Sequence, residues 1–385
     1  MNKINIIQFL PYFPPHKWWL ETVAEELSYF YVKSGFWDVI NIIFDVGQDI
    51  SQFEKKNLIK NKKQEIIWYY NNWYKVYLLP SFDIISNFPV PKFWKKIFWE
   101  ILFLKELRNG IIQTHTRFFL SSFLWGVFSK FTKQKWVHIE HGSDYVKLSS
   151  NFKSKIAYFY DKIIGKWIFK KCDKIVAISE GCKNFIQKGF INREIEVIYN
   201  GINFVPGIKI ENNEIIKIGF VGRLVKLKWV DLLIEAFKNL EKKYPNIVLE
   251  IAGDGDEKQV LEDLVWTNDN IKFLWMLSRE EVKYFLWGCD ILVNPSYQEW
   301  LPTVVLEWLL SKCVVVATNV GGTKEISYKN DLIIVERWNI ESIQNGLEIA
   351  ISDYKNRTWK SYNFVKETFD WNENIKKYFS LYNKL

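Results

Sequence analysis

Glycine is scarce in this chain and tryptophan is abundant. The 385 residues include 18 Gly and 19 Trp, where average usage of roughly 7% would predict about 27 glycines. Glycine serves where φ is positive or where the backbone must approach a ligand, and an indole suits neither position. The deficit in glycine is comparable in size to the excess of tryptophan.

Paired cysteines, long apolar runs and low-complexity tracts are also lacking. The four cysteines form no CxxC pair and no His/Cys spacing typical of a metal site, which argues against structural zinc and favours a reducing compartment. No apolar run approaches the roughly 18 residues that a spanning helix needs, and residues 1–9 predict a first strand rather than a signal peptide. We expect a cytoplasmic protein, soluble or peripheral to the inner face of the cell membrane.

Positive charge is concentrated in the first half of the chain. Residues 1–200 carry 29 Lys+Arg against 18 Asp+Glu, and residues 201–385 carry 23 against 26. Basic and apolar residues mix at helical spacing over 92–108 and again over 153–171. Such segments either lie at an anionic membrane or are ordinary helices that cover a sheet. Nucleic-acid binding is not favoured, because no recognised motif accompanies the charge.

Short apolar runs alternate with helix-length amphipathic segments, which predicts βα units and parallel sheets. The predicted strands are 4–9, 39–44, 76–79, 111–114, 136–140, 175–178 and 196–199, then 216–221, 248–252, 271–274, 291–294 and 314–317. A glycine- and proline-containing stretch and a polar run separate the two sets near residue 204. The sequence therefore predicts an α/β protein with two Rossmann-like parallel-sheet domains, 1–203 and 204–365, and a C-terminal helix within 366–385.

Two carboxylates stand eight residues apart in Asn294-Pro-Ser-Tyr-Gln-Glu-Trp-Leu-Pro-Thr-Val-Val-Leu-Glu307. Pro302 suits a first helical turn, where its missing N–H costs nothing. Glu299 is then in a loop and Glu307 is just over a turn into a helix. Free amides at that helix start would face a diphosphate. The alternative is ordinary surface charge near a helix start.

Two cations stand five residues apart in Gly219-Phe-Val-Gly-Arg223-Leu-Val-Lys-Leu-Lys228, which follows a predicted buried strand. Departure of a nucleoside diphosphate develops negative charge, and fixed cations stabilise that charge without a metal. The alternative is a pair of solvated loop charges. The segment therefore predicts an anion site at the start of the second domain.

Both segments resemble the retaining family-4 glycosyltransferases of GT-B fold, the glycosyl transferases group 1, whose signature is Glu-x7-Glu. The resemblance implies two domains facing a central cleft and a C-terminal helix that crosses back toward the first domain. It implies transfer of a hexose from a nucleotide-sugar co-substrate to a hydroxyl of a glycan or lipid-linked acceptor in cell-envelope polysaccharide or glycolipid synthesis, with no metal or other cofactor. The rivals are a catalytically inactive glycan- or nucleotide-binding relative and a sugar-nucleotide epimerase or phosphorylase.

The same resemblance assigns site residues. Arg223 and Lys228 bind the diphosphate, Glu299 holds the donor sugar, Glu307 receives the ribose hydroxyls, and His141 lies near the reacting carbon. The catalytic set is Glu299, His141, Arg223 and Lys228, and the donor-binding set is Gly222, Leu301, Pro302, Thr303, Glu307, Gly253, Gly255, Leu277, Trp18 and Trp19. His115, in Gln113-Thr-His-Thr-Arg117, is a weaker candidate for the same cleft.

The segment Asp254-Gly-Asp256 offers a metal-binding Asp-x-Asp alternative. It follows a predicted strand as Ala-Gly-Asp-Gly-Asp, which matches the nucleotide-side turn of the resembled family. Lys258 stands where a Gly-x-Gly-x-x-Gly fingerprint needs its third glycine, so a dinucleotide site is not indicated either. We expect neither a metal nor a dinucleotide at this turn.

Tryptophan occupies several positions where the resembled family has glycine, namely Trp18, Trp19, Trp37, Trp229, Trp275 and Trp300. An indole in a turn of positive φ, or beside a bound phosphate, is strained or obstructive. We hypothesise that many of these residues come from UGA codons translated as tryptophan, in a lineage that reads UGA as glycine. The codons in the coding DNA decide this.

Overall fold

The computed structural model describes residues 4–12, 19–45, 58–61, 64–70, 74–83, 89–146, 151–204, 207–208, 214–265, 268–329, 331–355 and 360–385. The chain divides into two compact units, a first unit of Met1–Asn200 with Trp371–Leu385 and a second unit of Gly201–Asp370. Trp18 lies outside the described residues. Trp19 begins a helix, and its side chain is not described.

The described strands of the first unit form one ten-stranded sheet. They are β1 Ile4–Leu10, β2 Trp37–Asp45, β3 Leu58–Asn61, β4 Gln64–Tyr70, β5 Tyr74–Asp83, β6 Pro89–Pro91, β7 Gly110–His115, β8 Trp136–Glu140, β9 Lys174–Ala177 and β10 Glu196–Val197. The order is β10-β9-β8-β7-β1-β2-β5-β4-β3, with β6 also paired to β5. The predicted strands form the parallel part from β10 to β5, whereas β3, β4 and β6 add an antiparallel edge that repeating βα units do not predict.

The helices of the first unit cover both faces of this sheet. They are α1 Trp19–Lys33, α2 Lys96–Leu102, α3 Leu120–Thr132, α4 Asn151–Tyr160, α5 Lys166–Lys171, α6 Glu180–Gly189 and the C-terminal α13 Trp371–Tyr382. Successive strand residues point to opposite faces. Phe9 therefore joins a core with α2, α3, α5 and α6, whereas Gln8 bonds Ser28 of α1 at 2.7 Å. Tyr31 of α1 meets Tyr382 of α13 at 2.9 Å between the hydroxyl oxygens, so α13 packs with the first unit.

The second unit is a parallel sheet with helices α7 Val230–Glu241, α8 Lys258–Val265, α9 Arg279–Gly288, α10 Thr303–Leu310, α11 Ile340–Asp353 and α12 Lys360–Thr368. Its strands are β11 Ile216–Val221, β12 Ile247–Ala252, β13 Ile271–Trp275, β14 Ile291–Asn294, β15 Val314–Thr318 and β16 Ile333–Val335, in the order β13-β12-β11-β14-β15-β16. The chain runs outward from β11 on one side and then returns to its other side as β14. That reversal creates a crevice at the carboxyl ends of β11 and β14, where open α/β sheets bind ligands.

The loops after β11 and β12 lie in direct contact at this edge. Gly222 N–H donates to the Ala252 carbonyl at 3.0 Å, and Leu224 N–H donates to the Asp254 carbonyl at 2.9 Å. Gly253 has φ +142°, and a Cβ placed on it would lie 1.8 Å from the Gly222 carbonyl oxygen. The position requires glycine because both the backbone conformation and the space exclude a side chain.

Gly253→Ala should therefore destabilise the second unit by about 2 kcal/mol or more, from strain at positive φ and displacement of the neighbouring loop. Urea unfolding measures this. Gly288→Ala is the matched control, since a Cβ at Gly288 meets nothing within 4 Å and its φ is not positive. If the two variants unfold at the same urea concentration, the contact between these loops does not constrain residue 253.

Candidate functional site

The loop after β11 places the two predicted cations differently. Leu224 is fully buried and anchors the loop. Arg223 beside it is exposed, and Lys226–Lys228 forms a single 3-10 turn. Lys228 is mostly enclosed, with 19% of its side chain exposed. Arg223 is thus a surface cation, whereas Lys228 is held in place by the residues that enclose it.

Lys228 Nζ pairs with Glu299 Oε1, and the Glu299 side chain is 14% exposed. Tyr297 N–H also donates to the Leu227 carbonyl at 2.8 Å. The backbone and the side chains of these two loops are therefore joined at the same place. Two residues that are 71 positions apart in the chain, and that were assigned to one site from the sequence, are brought into contact.

The helix that carries Glu307 begins at Thr303. Pro302 is its N-cap and lacks a side chain that could accept from the first amides. It therefore lies one residue before the first helical turn to which the sequence assigned it. Thr303, Val304 and Glu307 are half-buried, whereas the rest of the helix faces the core. Residues 303 and 307 lie one turn apart on the same face of the helix. Glu307 is therefore on the face that begins with Thr303, in the first turn, where the backbone N–H groups have no partner within the helix.

The loop that carries Glu299 is held by the loop after β15. Thr318 Oγ1 donates to the Ser296 carbonyl at 2.6 Å, and Gly322 N–H donates to the Trp300 carbonyl at 2.8 Å. Gly321 has φ +53°, and a Cβ there would lie 2.1 Å from the Glu299 carbonyl oxygen. Thr318 and Gly321 are positioning residues that sequence patterns did not assign, and the glycine pair at 321–322 is the sequence signal for them.

The remaining predicted donor residues lie at neighbouring strand ends. Gly253 and Gly255 follow β12, and half-buried Leu277 follows β13, just before α9. Asp254 and Asp256 are exposed, and Asp254 accepts from the Gly255 amide at 3.0 Å. In the parts of the chain that the structure describes, no three His, Cys, Asp or Glu side chains are grouped as metal ligands. Leu301 is buried beside the start of α10.

His141 lies in the first unit, directly after β8, and its side chain is completely buried. Its Nε2 is 3.1 Å from Nδ1 of His115, which is also buried. His115 Nε2 lies 2.9 Å from Gln8 Oε1, and Gln113 Nε2 donates to the same oxygen at 2.6 Å. The weaker candidate His115 is therefore the residue that positions His141.

Buried phenols orient Gln113 at the start of this chain of contacts. Gln113 Oε1 accepts from the hydroxyls of Tyr31 and Tyr382, so its amide nitrogen faces Gln8 Oε1. His115 Nε2 lies between Gln8 Oε1 at 2.9 Å, which can only accept, and Gln113 Nε2 at 3.0 Å, which can only donate. These contacts hold both rings in place and are compatible with either tautomer of His115 and His141. Phenols on α1 and α13 thus help to position the predicted catalytic histidine.

Both imidazoles are neutral. Burial lowers the pKa of His115 well below its usual value, and the neighbouring His141 and His138 lower it further. Burial lowers the pKa of His141 to about 3, although Glu140 acts in the opposite direction. A neutral His141 can accept or donate a hydrogen bond to a sugar hydroxyl, but it does not supply a positive charge.

A buried ion-pair cluster holds the His141 loop. Arg117 Nη1 donates to Glu140 Oε1 at 3.0 Å, and its Nη2 donates to Asp161 Oδ2 at 3.0 Å. The amides of His141 and Gly142 donate to Glu140 Oε1 at 3.1 and 2.7 Å. Burial alone would raise the pKa of Glu140, but Arg117 and His138 lower it to about 2. Arg117 and Glu140 were not assigned from the sequence, because only the fold brings residues 117, 140 and 161 together.

Tryptophans occupy three of the described positions at which φ is positive. They are Trp229 at +48°, Trp275 at +55° and Trp338 at +60°. Trp229 and Trp275 are positions where the resembled family has glycine. Trp338 also has positive φ, but the resemblance assigned no glycine to that position. Trp300 has no positive φ, and Trp37 is a buried strand residue packed against Phe379 and Tyr382. The backbone argument for glycine therefore holds at some of these tryptophans and not at others.

Comparison with known proteins identifies relatives of the whole chain. Family models match at residues 206–365 (Glycosyl transferases group 1) and 53–204 (Glycosyltransferase Family 4). An uncharacterized glycosyltransferase of Methanocaldococcus jannaschii is 35% identical over 407 residues, which cover 100% of both chains. One human subunit of phosphatidylinositol N-acetylglucosaminyltransferase is 29% identical over 228 residues, which are 56% of this chain and 47% of that protein. The Anabaena protein HepE, solved in complex with UDP, has a TM-score of 0.71 at 15% identity and full coverage of both chains.

The stability of the first unit should depend on pH through its buried histidines. Their folded-state pKa values are lowered, so the stability is present above the unfolded value of about 6.5 and is lost as pH falls. The loss should reach about 1.4 kcal/mol per pH unit for each proton taken up on unfolding. Asp161 acts in the opposite direction. Burial raises its pKa to about 6, although Arg117 lowers it. Between pH 6 and the pKa of Asp161 in the unfolded chain, its protonation in the folded protein therefore offsets part of the stability lost through the histidines.

Urea unfolding at a series of pH values measures this dependence. The double variant His115→Gln, His141→Gln should show a flatter profile between pH 7 and 5 than the unsubstituted protein. Asp161→Asn should make the profile steeper over the lower part of that range, because it removes the opposing titration. Equal slopes for all three proteins would show that the two histidines titrate normally in the folded state.

Proposed function

Because this chain belongs to the glycosyl transferases group 1, the family-4 glycosyltransferases of GT-B fold, we propose that it is a retaining hexosyltransferase. The donor is a nucleotide sugar, and the acceptor is a hydroxyl of a glycan or lipid-linked saccharide of the cell envelope. The observation that carries the proposal is the contact of Lys228 with Glu299, which joins the loop that carries Arg223 to the loop that leads into α10.

The nucleoside diphosphate would bind at the strand ends of the second unit. Arg223 and Lys228 meet the two phosphates, and the amides of Thr303 and Val304 add the positive end of a helix. Glu307, on the same side of that helix, accepts from the ribose hydroxyls, because a carboxylate can take two bonds from a diol. The UDP complex of the Anabaena fold relative supports this class of ligand.

The ion pair prepares Glu299 for the sugar. In the absence of donor, Lys228 neutralises the Glu299 carboxylate, which therefore does not repel an incoming diphosphate. An ammonium has three N–H donors, so Lys228 can bond a phosphate oxygen and keep its contact with Glu299. The carboxylate is then held in place to accept from hydroxyls of the hexose.

The chemistry is proposed to be electrostatic and metal-independent. Positive charge at Arg223 and Lys228 stabilises the departing diphosphate. The sequence offers no dedicated nucleophile. Family resemblance implies that the acceptor hydroxyl attacks the face from which the phosphate departs and passes its proton to the leaving phosphate oxygen. The neutral His141, fixed by His115, would orient a hydroxyl of the hexose without adding charge.

The acceptor is proposed to be lipid-linked or part of a glycan. The relative whose name indicates transfer of N-acetylglucosamine to phosphatidylinositol supports a lipid acceptor.

The rival function, an inactive relative that binds a nucleotide or glycan, is favoured by one observation. Trp229 is buried with its ring 5.1 Å from that of Tyr297, in the same loop as Glu299, and so fills space beside the proposed donor site.

We further propose that the tryptophans with positive φ stand in place of glycine in the active protein. Trp229, Trp275 and Trp338 hold a backbone conformation that costs a bulky residue on the order of 1–3 kcal/mol. Trp229 is the N-cap of α7, directly after the turn that carries Lys228. Glycine there would remove both the strain and the indole beside the donor loop.

Arg223→Ala should lower kcat/KM for the accepted nucleotide sugar by about 10²-fold or more, as the loss of an electrostatic donor to a developing charge typically does. Arg223 is exposed, so the fold should be unchanged. The measurement is transfer from a panel of UDP-, GDP- and ADP-sugars. Binding of the free nucleoside diphosphate by calorimetry should weaken in parallel.

Lys226→Ala is the matched control for this assay. Lys226 lies in the same loop, but it pairs with Asp231 at 2.7 Å and is assigned no contact with the donor. An equal loss in Lys226→Ala would mean that general loop charge, and not Arg223, drives binding.

Excess chelator tests the metal-independent mechanism. Turnover that is lost in chelator and restored by magnesium or manganese would contradict metal-independent binding of the diphosphate and favour a role for Asp254 and Asp256.

Trp338→Gly should raise the free energy of unfolding by about 1 kcal/mol, because relief of positive φ exceeds the small burial of a side chain that is 73% exposed. The triple variant Trp229→Gly, Trp275→Gly, Trp338→Gly should also bind UDP-glucose or another accepted donor more tightly. Urea unfolding and calorimetry measure the two effects.

Trp37→Gly is the matched control, because Trp37 is a packed core residue without positive φ. It should lose about 3–5 kcal/mol, as large-to-small core substitutions do. If the triple variant loses stability in the same way and binds donor no better, the tryptophans are native to these turns. UGG codons at 229, 275 and 338 would lead to the same conclusion from the coding DNA.

A further inference from the structure

A ridge of apolar side chains projects from the helical segment that follows the His141 loop. Phe152, Ile156, Phe159 and Ile163 are between 54% and 74% exposed. Their spacing of four, three and four residues places them along one side of the helix. We call these four residues the apolar ridge.

The ridge is not needed to bury the helix. The opposite side of the same segment already packs inward through Ala157, Asp161 and Ile168, which are buried. The segment runs from α4 through a π-turn at Asp161–Gly165 into α5, and this turn carries Asp161 to its ion pair with Arg117. The helix is thus apolar on its outer side as well as on its inner side, an arrangement that is unfavourable in water unless a partner covers it.

Neighbouring helices extend the apolar surface. Phe98 of α2, Trp125 of α3 and Ile168 of α5 belong to one core cluster, so these helices cover the same face of the first sheet. The outer sides of α2 and α3 carry further exposed pairs, Trp99 with Phe103 and Val127 with Phe131. Exposed apolar side chains on this face are therefore grouped, whereas isolated ones are normal on any protein.

The segment that contains these helices carries the net positive charge of the first half of the chain. Residues 92–171 contain 16 Lys+Arg against 5 Asp+Glu, which accounts for the whole excess of the first half of the chain. Of the five acids, Glu140 and Asp161 are buried with Arg117, and Glu106 pairs with Lys75. Segment 151–171 has six lysines and one acid, the buried Asp161, so the ridge lies among cations that greatly outnumber anions. Its exposed lysines include Lys155, Lys166 and Lys170.

We propose that this face docks the protein on an anionic phospholipid bilayer. The apolar ridge enters the boundary between headgroups and acyl chains, and the flanking lysines contact the anionic headgroups. The aliphatic stems of the lysines can lie along the ridge while their ammonium groups stay with the phosphates. Among the described residues, no helix is long and apolar enough to cross a bilayer.

A bilayer fits these features better than an acidic protein does. The ridge protrudes, so a protein partner would need a groove of matching shape. A lipid interface accepts protruding phenylalanine and isoleucine side chains without one. The lysines are spread along the whole segment, as contact with an extended anionic surface requires. The inference does not depend on catalysis, and it would bring a transferase to the surface at which lipid-linked acceptors are found.

The test is co-flotation of the full chain with vesicles of phosphatidylcholine alone or of phosphatidylcholine mixed with phosphatidylglycerol, at low and at physiological salt. The protein should float with the mixed vesicles, and added salt should weaken binding because the exposed charges are screened over about 8–10 Å. The triple variant Phe152→Ser, Phe159→Ser, Ile163→Ser should lose binding to both kinds of vesicle. Lys155→Glu, Lys166→Glu, Lys170→Glu should lower the partition onto anionic vesicles by about 100-fold or more.

Matched variants in the second unit separate this face from general effects. Val260→Ser with Ile349→Ser removes exposed apolar side chains, and Lys242→Glu, Lys272→Glu, Lys366→Glu makes the same change in net charge. Both should float like the unsubstituted protein. Calorimetric binding of UDP should be unchanged in the ridge variant, so failure of docking and failure of the donor proposal are distinguishable.

Equal partition onto neutral and anionic vesicles would overturn the proposal. So would an equal loss in the second-unit variants, or full flotation of a ridge variant that unfolds normally in urea. Binding of the unsubstituted chain to an acidic protein, with no affinity for phosphatidylglycerol, would assign the face to a protein partner instead.

Discussion

The ion pair between the buried carboxylate of Glu140 and Arg117 is the interaction on which the arrangement of the first unit depends. A carboxylate with no exposure must be paired, and Glu140 meets Arg117 and the amides of His141 and Gly142. Arg117 in turn bonds Asp161, which fixes the π-turn in the segment that carries the apolar ridge. One ion-pair cluster therefore orients both the histidine of the proposed site and the helix of the proposed docking surface. Replacing either charge alone would leave the other buried and unpaired, so the cluster is stable only as a whole.

The second unit uses a charge pair in a different environment. Lys228 and Glu299 are mostly enclosed, and the attraction in such a pair is largely offset by the cost of removing both charges from water. Their placement matters more than their energy, because they join the loops after β11 and β14 where the strand order reverses. The glycines at 253 and 321 permit the backbone contacts that bring these loops together. The anion-binding geometry thus follows from the topology of the sheet and from turns that admit no side chain.

Local patterns in the sequence predicted the parallel strands of both sheets, whereas the assignment of Lys228 and Glu299 to one site came from the family resemblance. Local patterns were insufficient for the chain of bonds from Tyr382 through Gln113, Gln8 and His115 to His141, because it joins residues from four separate segments and depends on which strand residues point inward. The antiparallel edge was missed because β3, β4 and β6 are not separated by helices. Trp229 and Trp275 have the positive φ that favours glycine, whereas Trp37 packs as a core residue in a strand.

The bond chain links the C-terminal helix to the proposed site. Tyr382 lies near the end of the sequence, yet its hydroxyl helps to fix the amide of Gln113, which contacts His115 and through His115 reaches His141. A helix that only packed against the sheet would need apolar contacts, which Trp371 and Tyr378 already supply. A buried hydroxyl costs desolvation energy unless it is bonded. The phenol of Tyr382 is therefore better explained by what it orients than by what it stabilises, and docking of the C-terminal helix becomes a condition for the placement of Gln113, His115 and His141.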